Sequence, residues 1–142
     1  MTAVADPPAD TLGRQRVLIP LLLDTIAVLV FVVVGRDEHQ QTSTVADVLT
    51  VSAPFLIGVA GGAAVAVLAR RPLRSLAAGG IVTVSTIVVG MLLRRFVWDR
   101  GTALTFIVVT SAFLAVCFLG WRAVGASLRR LGYSRQIRAP RT

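Results

Sequence analysis

Four long apolar segments divide this chain and leave little of it for any other kind of structure. The segments span approximately residues 17–35, 48–69, 76–93 and 103–121. Each is close to the roughly 20 residues that an α-helix needs to cross a hydrocarbon core of about 30 Å. We therefore predict an all-α polytopic membrane protein, an antiparallel bundle of four transmembrane helices joined by short connections.

The first apolar segment resembles a secretory signal in its position, but two features oppose that interpretation. Asp24 interrupts the stretch that would be the apolar core of a signal peptide. The segment then runs through Val34 and Gly35 into Arg36 without a cleavage site of the small-x-small type. We predict an uncleaved first span.

The positions of the charged residues predict how the chain crosses the membrane. The net charge is +8, and all 15 basic residues are arginine. Eleven arginines lie before the first span, after the second or after the fourth, and four lie in the other two connections. Basic residues in short loops favour the cytoplasmic side, so both termini are expected inside. The positive charge is therefore a topology signal, and we predict no nucleic-acid partner.

The chain divides into three parts on this basis. Residues 1–16 are a polar cytoplasmic lead, residues 17–122 are the four-helix domain, and residues 123–142 are an arginine-rich cytoplasmic tail. The two ends are the candidates for disorder, because their composition does not support packing. Membrane lipid is the predicted partner, and the basic tail favours anionic lipid.

The residue types present exclude several kinds of chemistry. Without lysine, the chain has no phosphate-binding P-loop lysine and no Schiff-base lysine. One histidine and one cysteine exclude the usual zinc ligand sets and an intrachain disulfide. His39 is predicted outside the membrane, away from the serines within the spans, so no Ser–His pair is expected. We predict that the chain is not an enzyme and uses no cofactor or metal.

Asp24 is the most informative single residue, because it lies about 10 Å inside the first span. An aspartate near the centre of a helix costs about 2.5 to 3.5 kcal/mol on insertion scales, so it must face the bundle and find partners, or be protonated. Hydroxyl groups in the third and fourth spans are the candidate partners. With Asp24 they form the predicted intramembrane polar site: Ser85, Thr86, Thr110 and Ser111. The sequence leaves two roles for Asp24: a hydrogen bond that packs helices together, or the binding of a proton or cation.

Two further groups of residues stand out. Arginines and acids meet at the predicted outer interface, where cross-loop ion pairs such as Arg36 with Asp99 or Asp37 with Arg94 would join the connections. This outer-loop cluster consists of Arg36, Asp37, His39, Arg94 and Asp99. Small residues at intervals of about four predict close packing of the second and third helices, with homodimerisation as the alternative. The predicted packing residues are Gly58, Gly62, Ala66, Gly79 and Gly90.

Several of these residues together resemble a known family. The pattern comprises Asp24, Gly35-Arg36-x-x-His39, Ala53-Pro54-Phe55, an arginine closing the third span and Gly120-Trp121-Arg122. It resembles, over about residues 17–123, a small bacterial membrane family catalogued as domain of unknown function 3054. The resemblance implies four spans in a bacterial inner membrane and no stated activity.

The function predicted from these observations is that of a non-catalytic membrane component: a helper, assembly or scaffold subunit. Its partners would be lipid and a second copy of the chain or another membrane protein. The alternative is a small proton-coupled solute transporter that uses Asp24. Four helices pack closely around their own side chains, so a transport pathway would require an oligomer.

Overall fold

The structure, a computed structural model, describes residues 9–37, 44–97 and 103–138, and those residues form four helices with short connections. The helices are α1 (Ala9–Asp37), α2 (Val45–Leu68), α3 (Leu76–Phe96) and α4 (Leu104–Arg138). Each contains a stretch that is long and apolar enough to cross a membrane. The prediction of an all-α bundle of four membrane-spanning helices is confirmed.

Local sequence signals fix the ends of α2 and α3. The Thr44 side chain accepts a hydrogen bond from the Asp47 backbone N–H, and the Asp47 side chain accepts one from the Thr44 backbone N–H, which is a capping box. Ser75 is the N-cap residue of α3, and its side chain accepts a hydrogen bond from the backbone N–H of Ala78. At the end of α2 the backbone N–H of Arg70 donates to Val67 and that of Arg71 donates to Ala66, which is a Schellman motif.

Helices α1 and α4 extend beyond the predicted spans. Helix α1 starts at Ala9 inside the predicted polar lead, and α4 continues through most of the predicted tail to Arg138. After the fourth span the first proline is Pro140, so no residue in that stretch lacks the backbone N–H that a helix needs. The basic tail is therefore a helical extension of the bundle as far as Arg138.

The helices form a ring in which each packs against two neighbours. Contacts join α1 to α2, α2 to α3, α3 to α4 and α4 back to α1, and the α2–α3 contact is the most extensive. In the described ranges the backbones of the diagonal pairs stay apart, and side chains such as Phe55 on α2 and Phe106 on α4 meet between them. The central core is apolar and consists of Val28, Phe55, Val59, Val82, Leu114 and Phe118.

The outer faces of the helices are apolar as well. Leu22 on α1, Val84 on α3 and Val116 on α4 are 58%, 62% and 72% exposed. A water-soluble bundle would place polar residues there, because contiguous exposed apolar surface on this scale is rare in soluble monomers. Apolar side chains both inside and outside are the arrangement expected for helices surrounded by lipid.

Close backbone approach joins α2 to α3. A Cβ at Gly58 would lie 2.7 Å from Cα of Thr86, and one at Gly62 would lie 2.8 Å from Cα of Val82. Ala66 is fully buried one turn further along α2. On the other helix, a Cβ at Gly90 would lie 2.5 Å from the Phe55 ring.

Gly79 departs from the prediction that the small residues of α3 face α2. A Cβ there would lie 2.6 Å from Cδ of Arg122, and its other near neighbour is the Leu119 side chain. Gly79 therefore packs against α4. The physical reason is that the Arg122 side chain crosses α3 at this point and leaves no room for a larger residue.

Candidate functional site

A buried ion pair joins Asp24 on α1 to Arg122 on α4 near one end of the bundle. Nη1 of Arg122 donates to Oδ1 of Asp24 at 2.9 Å, and Nη2 donates to Oδ2 at 2.7 Å. Both residues are 1% exposed. The two parallel hydrogen bonds match the planar guanidinium to the planar carboxylate, which is the strongest geometry that this pair can adopt.

Further hydrogen bonds hold both partners in place. Nε of Arg122 donates to the Leu73 carbonyl at 3.0 Å, and Nη1 also donates to the Phe118 carbonyl at 2.7 Å. Trp121 Nε1 donates to Oδ1 of Asp24 at 3.0 Å. The Arg122 Cζ atom lies 4.3 Å from the Trp121 ring centroid, within cation–π range. We call Asp24, Trp121 and Arg122 the clamp.

The clamp connects α1, α3, α4 and the α2–α3 connection at one end of the bundle. Asp24 comes from α1, Trp121 and Arg122 from α4, and the Leu73 carbonyl from the connection between α2 and α3. Gly79 in the first turn of α3 supplies the space through which the Arg122 side chain passes. The Arg122 side chain thus contacts α1, α3 and the α2–α3 connection, and these interactions hold α4 against them.

The electrostatics of the clamp tie its two charged residues to each other. Asp24 accepts three hydrogen bonds, and the opposite charge of Arg122 neutralises it at close range. Taking two ions out of water is costly, and their attraction offsets that cost only when the geometry is good and the remaining polar atoms are satisfied. Removing one partner leaves an isolated buried charge, so each residue depends on the other.

Asp24 has partners other than the hydroxyls predicted for it. The Thr86 hydroxyl donates to the Val82 carbonyl of its own helix at 2.7 Å. The Thr110 hydroxyl is buried and has no hydrogen-bond partner within the described residues. Ser85 lies beside Gly62, at the α2–α3 contact. Within the described residues, none of the candidate hydroxyls of Ser85, Thr86, Thr110 and Ser111 donates to Asp24, because an arginine fork satisfies both carboxylate oxygens at once and carries the compensating charge.

The sequence prediction missed Arg122 as a site residue. It was counted with the topology arginines that follow the fourth span, whereas its side chain is buried against Asp24. The available signal was its place in Gly120-Trp121-Arg122, one of the motifs that carries the family resemblance together with Asp24.

Most of the predicted outer-loop cluster lies outside the described part of the chain. This applies to His39, to Asp99 and to the side chains of Arg36 and Asp37. Arg94 is described, and its Cζ atom lies 4.5 Å from the centroid of the Phe106 ring. Phe106 packs in turn against Phe31 and Phe55. At this end of the bundle an arginine covers an aromatic cluster.

Comparison with known proteins identifies one family. A family model described as "Protein of unknown function (DUF3054)" matches residues 21–125. The matched segment contains Asp24, Gly79, Trp121 and Arg122, so the clamp lies entirely within it. No curated protein and no solved structure matches the chain.

Proposed function

We propose that this chain, which belongs to the DUF3054 family of proteins of unknown function, is a non-catalytic component of its membrane: a helper, assembly or scaffold subunit. The observation that carries the proposal is the paired state of Asp24. The one carboxylate within the described bundle core is bound to Arg122 and serves to hold helices together.

A proton-coupled transporter would need a different arrangement. Its carboxyl group must exchange protons with water and then with a solute, so it must reach an aqueous path in at least one state. The Asp24 side chain is 2% exposed, and three donors occupy its oxygens. Releasing the carboxylate would leave the Arg122 guanidinium buried without its anion, which is costly. The geometry therefore favours the structural role.

Proton flux in proteoliposomes distinguishes the two roles. We expect wild type to show no solute-driven proton flux above that of Asp24→Asn/Arg122→Gln, in which both charges are removed together. A panel of cationic and neutral solutes would be tested with a pH-sensitive dye inside the vesicles. A solute-dependent flux that wild type shows and the folded double variant lacks would establish transport and reject our proposal.

Photocrosslinking in the native membrane tests the scaffold role directly. A photoreactive amino acid would replace one exposed residue per helix: Leu22, Ile57, Val84 or Val116. We expect a discrete protein adduct from one face, either a second copy of the chain or another membrane protein. The same probe at buried Val28 is the matched control and should give no intermolecular adduct. Adducts with lipid alone at all four positions would contradict a scaffold role.

The proposed location is the bacterial inner membrane with both termini in the cytoplasm, and the arginine distribution supports it. Lipid is the proposed environment, and nucleic acid is not a proposed partner. In a Cys117→Ala background, a single cysteine at Gln41 should react with an impermeant maleimide on intact cells. A cysteine at exposed Ser127 should react only after permeabilisation. The reverse pattern would overturn the orientation.

We also propose that the chain is not an enzyme and uses no cofactor. The support lies in the residue types: the chain has no lysine, one histidine and one cysteine. The ionisable side chains buried in the described bundle are the two that neutralise each other in the clamp.

A further inference from the structure

A cleft with a strongly basic lining opens at the same end of the bundle as the clamp. Its volume is about 680 Å³, and it lies between the start of α1, the α2–α3 connection and the extension of α4. Five arginines from all three of these elements line it: Arg16, Arg70, Arg71, Arg74 and Arg129. We call it the arginine cleft.

The positive charge of the arginine cleft is not compensated by the described residues. Its described lining contains no acidic side chain. None of the five guanidinium groups makes a hydrogen bond or ion pair within residues 9–37, 44–97 and 103–138. Like charges that share a cleft repel one another, and a bound anion would relieve that repulsion.

The backbone at Arg70 has a conformation that carries a cost for a residue with a side chain. Arg70 has a φ of 54°, in the left-handed region, at the position of the Schellman motif where glycine is usual. A side chain in that conformation costs about 1 to 2 kcal/mol relative to the right-handed form. Strained residues cluster at functional sites, so the side chain of Arg70 is a candidate for a binding role.

The positive end of a helix adds to the arginines. Ser75, the N-cap residue of α3, also lines the cleft. The first N–H groups of a helix and its dipole favour an anion at this position. This contribution reinforces the five guanidinium groups, which are the principal evidence.

The remaining lining of the cleft is apolar. Val17, Val67 and Leu73 contribute aliphatic side chains beside the arginines. A site that combines guanidinium groups with aliphatic surface, at the end of transmembrane helices, suits an anionic headgroup attached to a hydrocarbon chain. Basic pockets between transmembrane helices bind phospholipid headgroups in this way.

We propose that the arginine cleft binds a phosphate group, and that the phosphate belongs to the headgroup of an anionic membrane lipid. Arginine is suited to this role, because its planar fork donates two parallel hydrogen bonds to phosphate oxygens. The site differs from the basic tail as a whole: it depends on three arginines of the α2–α3 connection and on one from α1 and one from α4. This proposal does not depend on the scaffold role. A transporter with the same cleft would bind the same lipid phosphate.

The test uses the full chain in nanodiscs and two variants of equal charge. Arg70→Gln/Arg74→Gln removes two cleft arginines, and the control Arg14→Gln/Arg130→Gln removes two arginines of the same end that do not line the cleft. Native mass spectrometry would count cardiolipin or phosphatidylglycerol retained per chain as the anionic lipid is diluted with phosphatidylcholine. A second arm adds inorganic phosphate or pyrophosphate to phosphatidylcholine nanodiscs without anionic lipid.

We expect one retained anionic lipid per wild-type chain and apparent affinity lower by about tenfold or more in the cleft variant, since each arginine contributes to the attraction. The control variant should lose about threefold or less. Binding of soluble phosphate with the same dependence on the cleft arginines would support the phosphate site and assign it a soluble ligand. Equal losses in the two variants, or no retained anion in either arm, would overturn the proposal.

The result is independent of the scaffold tests. Photocrosslinking at the outer faces of the helices does not involve the cleft arginines, so either experiment can fail while the other succeeds.

Discussion

The α2–α3 contact and the α1–α4 contact hold the same bundle together by different physical means. Between α2 and α3, Gly58 and Gly62, about one turn apart, bring the two backbones close within the most extensive contact of the bundle. The α1–α4 contact is smaller, and its polar interaction is concentrated in the ion pair between Asp24 and Arg122. One contact is extended and apolar, whereas the other combines packing of the Phe31 ring against Phe106 and Phe113 with a single charged pair.

The difference follows from what can drive helix association in lipid. Apolar surface gains little by leaving hydrocarbon for a helix interface, so association depends on close packing and on polar contacts. Close packing spreads its contribution over many atoms, and each residue adds a small amount. An ion pair concentrates its contribution in two residues, which makes the α1–α4 contact more sensitive to single substitutions.

The largest effect is expected for Arg122→Leu, which leaves Asp24 buried without its cation. We expect a loss of about 3 to 5 kcal/mol in the free energy of unfolding. It would be measured by detergent-induced unfolding of the purified protein, followed by circular dichroism. Asp24→Leu/Arg122→Leu should recover most of that loss, because apolar side chains of similar size tolerate the site.

The control for this substitution is Arg14→Leu, an exposed arginine at the same end of the bundle that does not line the arginine cleft, which should change stability by about 0.5 kcal/mol or less. Equal stability of Arg122→Leu and Arg14→Leu would show that the ion pair does not hold α1 to α4.

The next largest effect tests the close contact between α2 and α3. Gly58→Ala places a Cβ 2.7 Å from Cα of Thr86, so the two helices must separate. We expect a loss of about 1 to 3 kcal/mol, as for other overpacked interiors. Gly61→Ala is the matched control, since its Cβ has 3.9 Å to the nearest atom. It should be neutral or stabilising by up to about 1 kcal/mol. If both variants unfold alike, close approach does not stabilise this contact.

Gly79→Ala tests close packing and the ion pair together, because Gly79 leaves the space that the Arg122 side chain occupies. Its Cβ would lie 2.6 Å from Cδ of Arg122, whose guanidinium is held by hydrogen bonds. We expect a loss of about 1 to 2 kcal/mol by the same unfolding assay. The adjacent Gly80 has no atom within 4 Å of an added Cβ, so Gly80→Ala should not be destabilising. The idea fails if Gly79→Ala matches Gly80→Ala.

The smallest effect is expected for Trp121→Phe. This change removes the hydrogen bond from Nε1 to Asp24 and keeps an aromatic ring beside the arginine. Single hydrogen bonds between transmembrane helices contribute about 0.6 kcal/mol on average, and we expect a loss of that order. A loss as large as that of Arg122→Leu would show that Trp121, and not the ion pair, contributes most of the stability of the clamp.

Sequence patterns predicted the fold because a transmembrane helix is defined by the hydrophobicity of one continuous segment of the chain. Each span is visible as a run of apolar residues of the required length, and the positions of the small residues indicate where backbones can approach. The Asp24 carboxylate stands out for the same reason, since a charged residue inside such a run requires a partner.

The identity of that partner could not be read locally. Arg122 lies 98 residues from Asp24, beside other arginines that end the fourth span. Counting arginines for topology treats each of them as a residue of the membrane surface, and that assumption does not hold for one whose side chain turns inward. The arginine cleft is also a product of folding, because its five arginines come from three separate parts of the chain.

The sequence separation of the clamp residues has a consequence for synthesis. A ribosome that adds 5 to 20 residues per second takes on the order of ten seconds to pass from Asp24 to Arg122. During that interval α1 carries a carboxylate whose cation has not yet been made. A chain stopped after Gly120 is expected to be extracted from membranes by alkali more readily than the same chain with Asp24→Asn, and equal extraction would contradict this. We therefore expect α1 to be fully stabilised in the membrane only after the last helix has been made, because a chain that ends early keeps an unpaired charge within its first span.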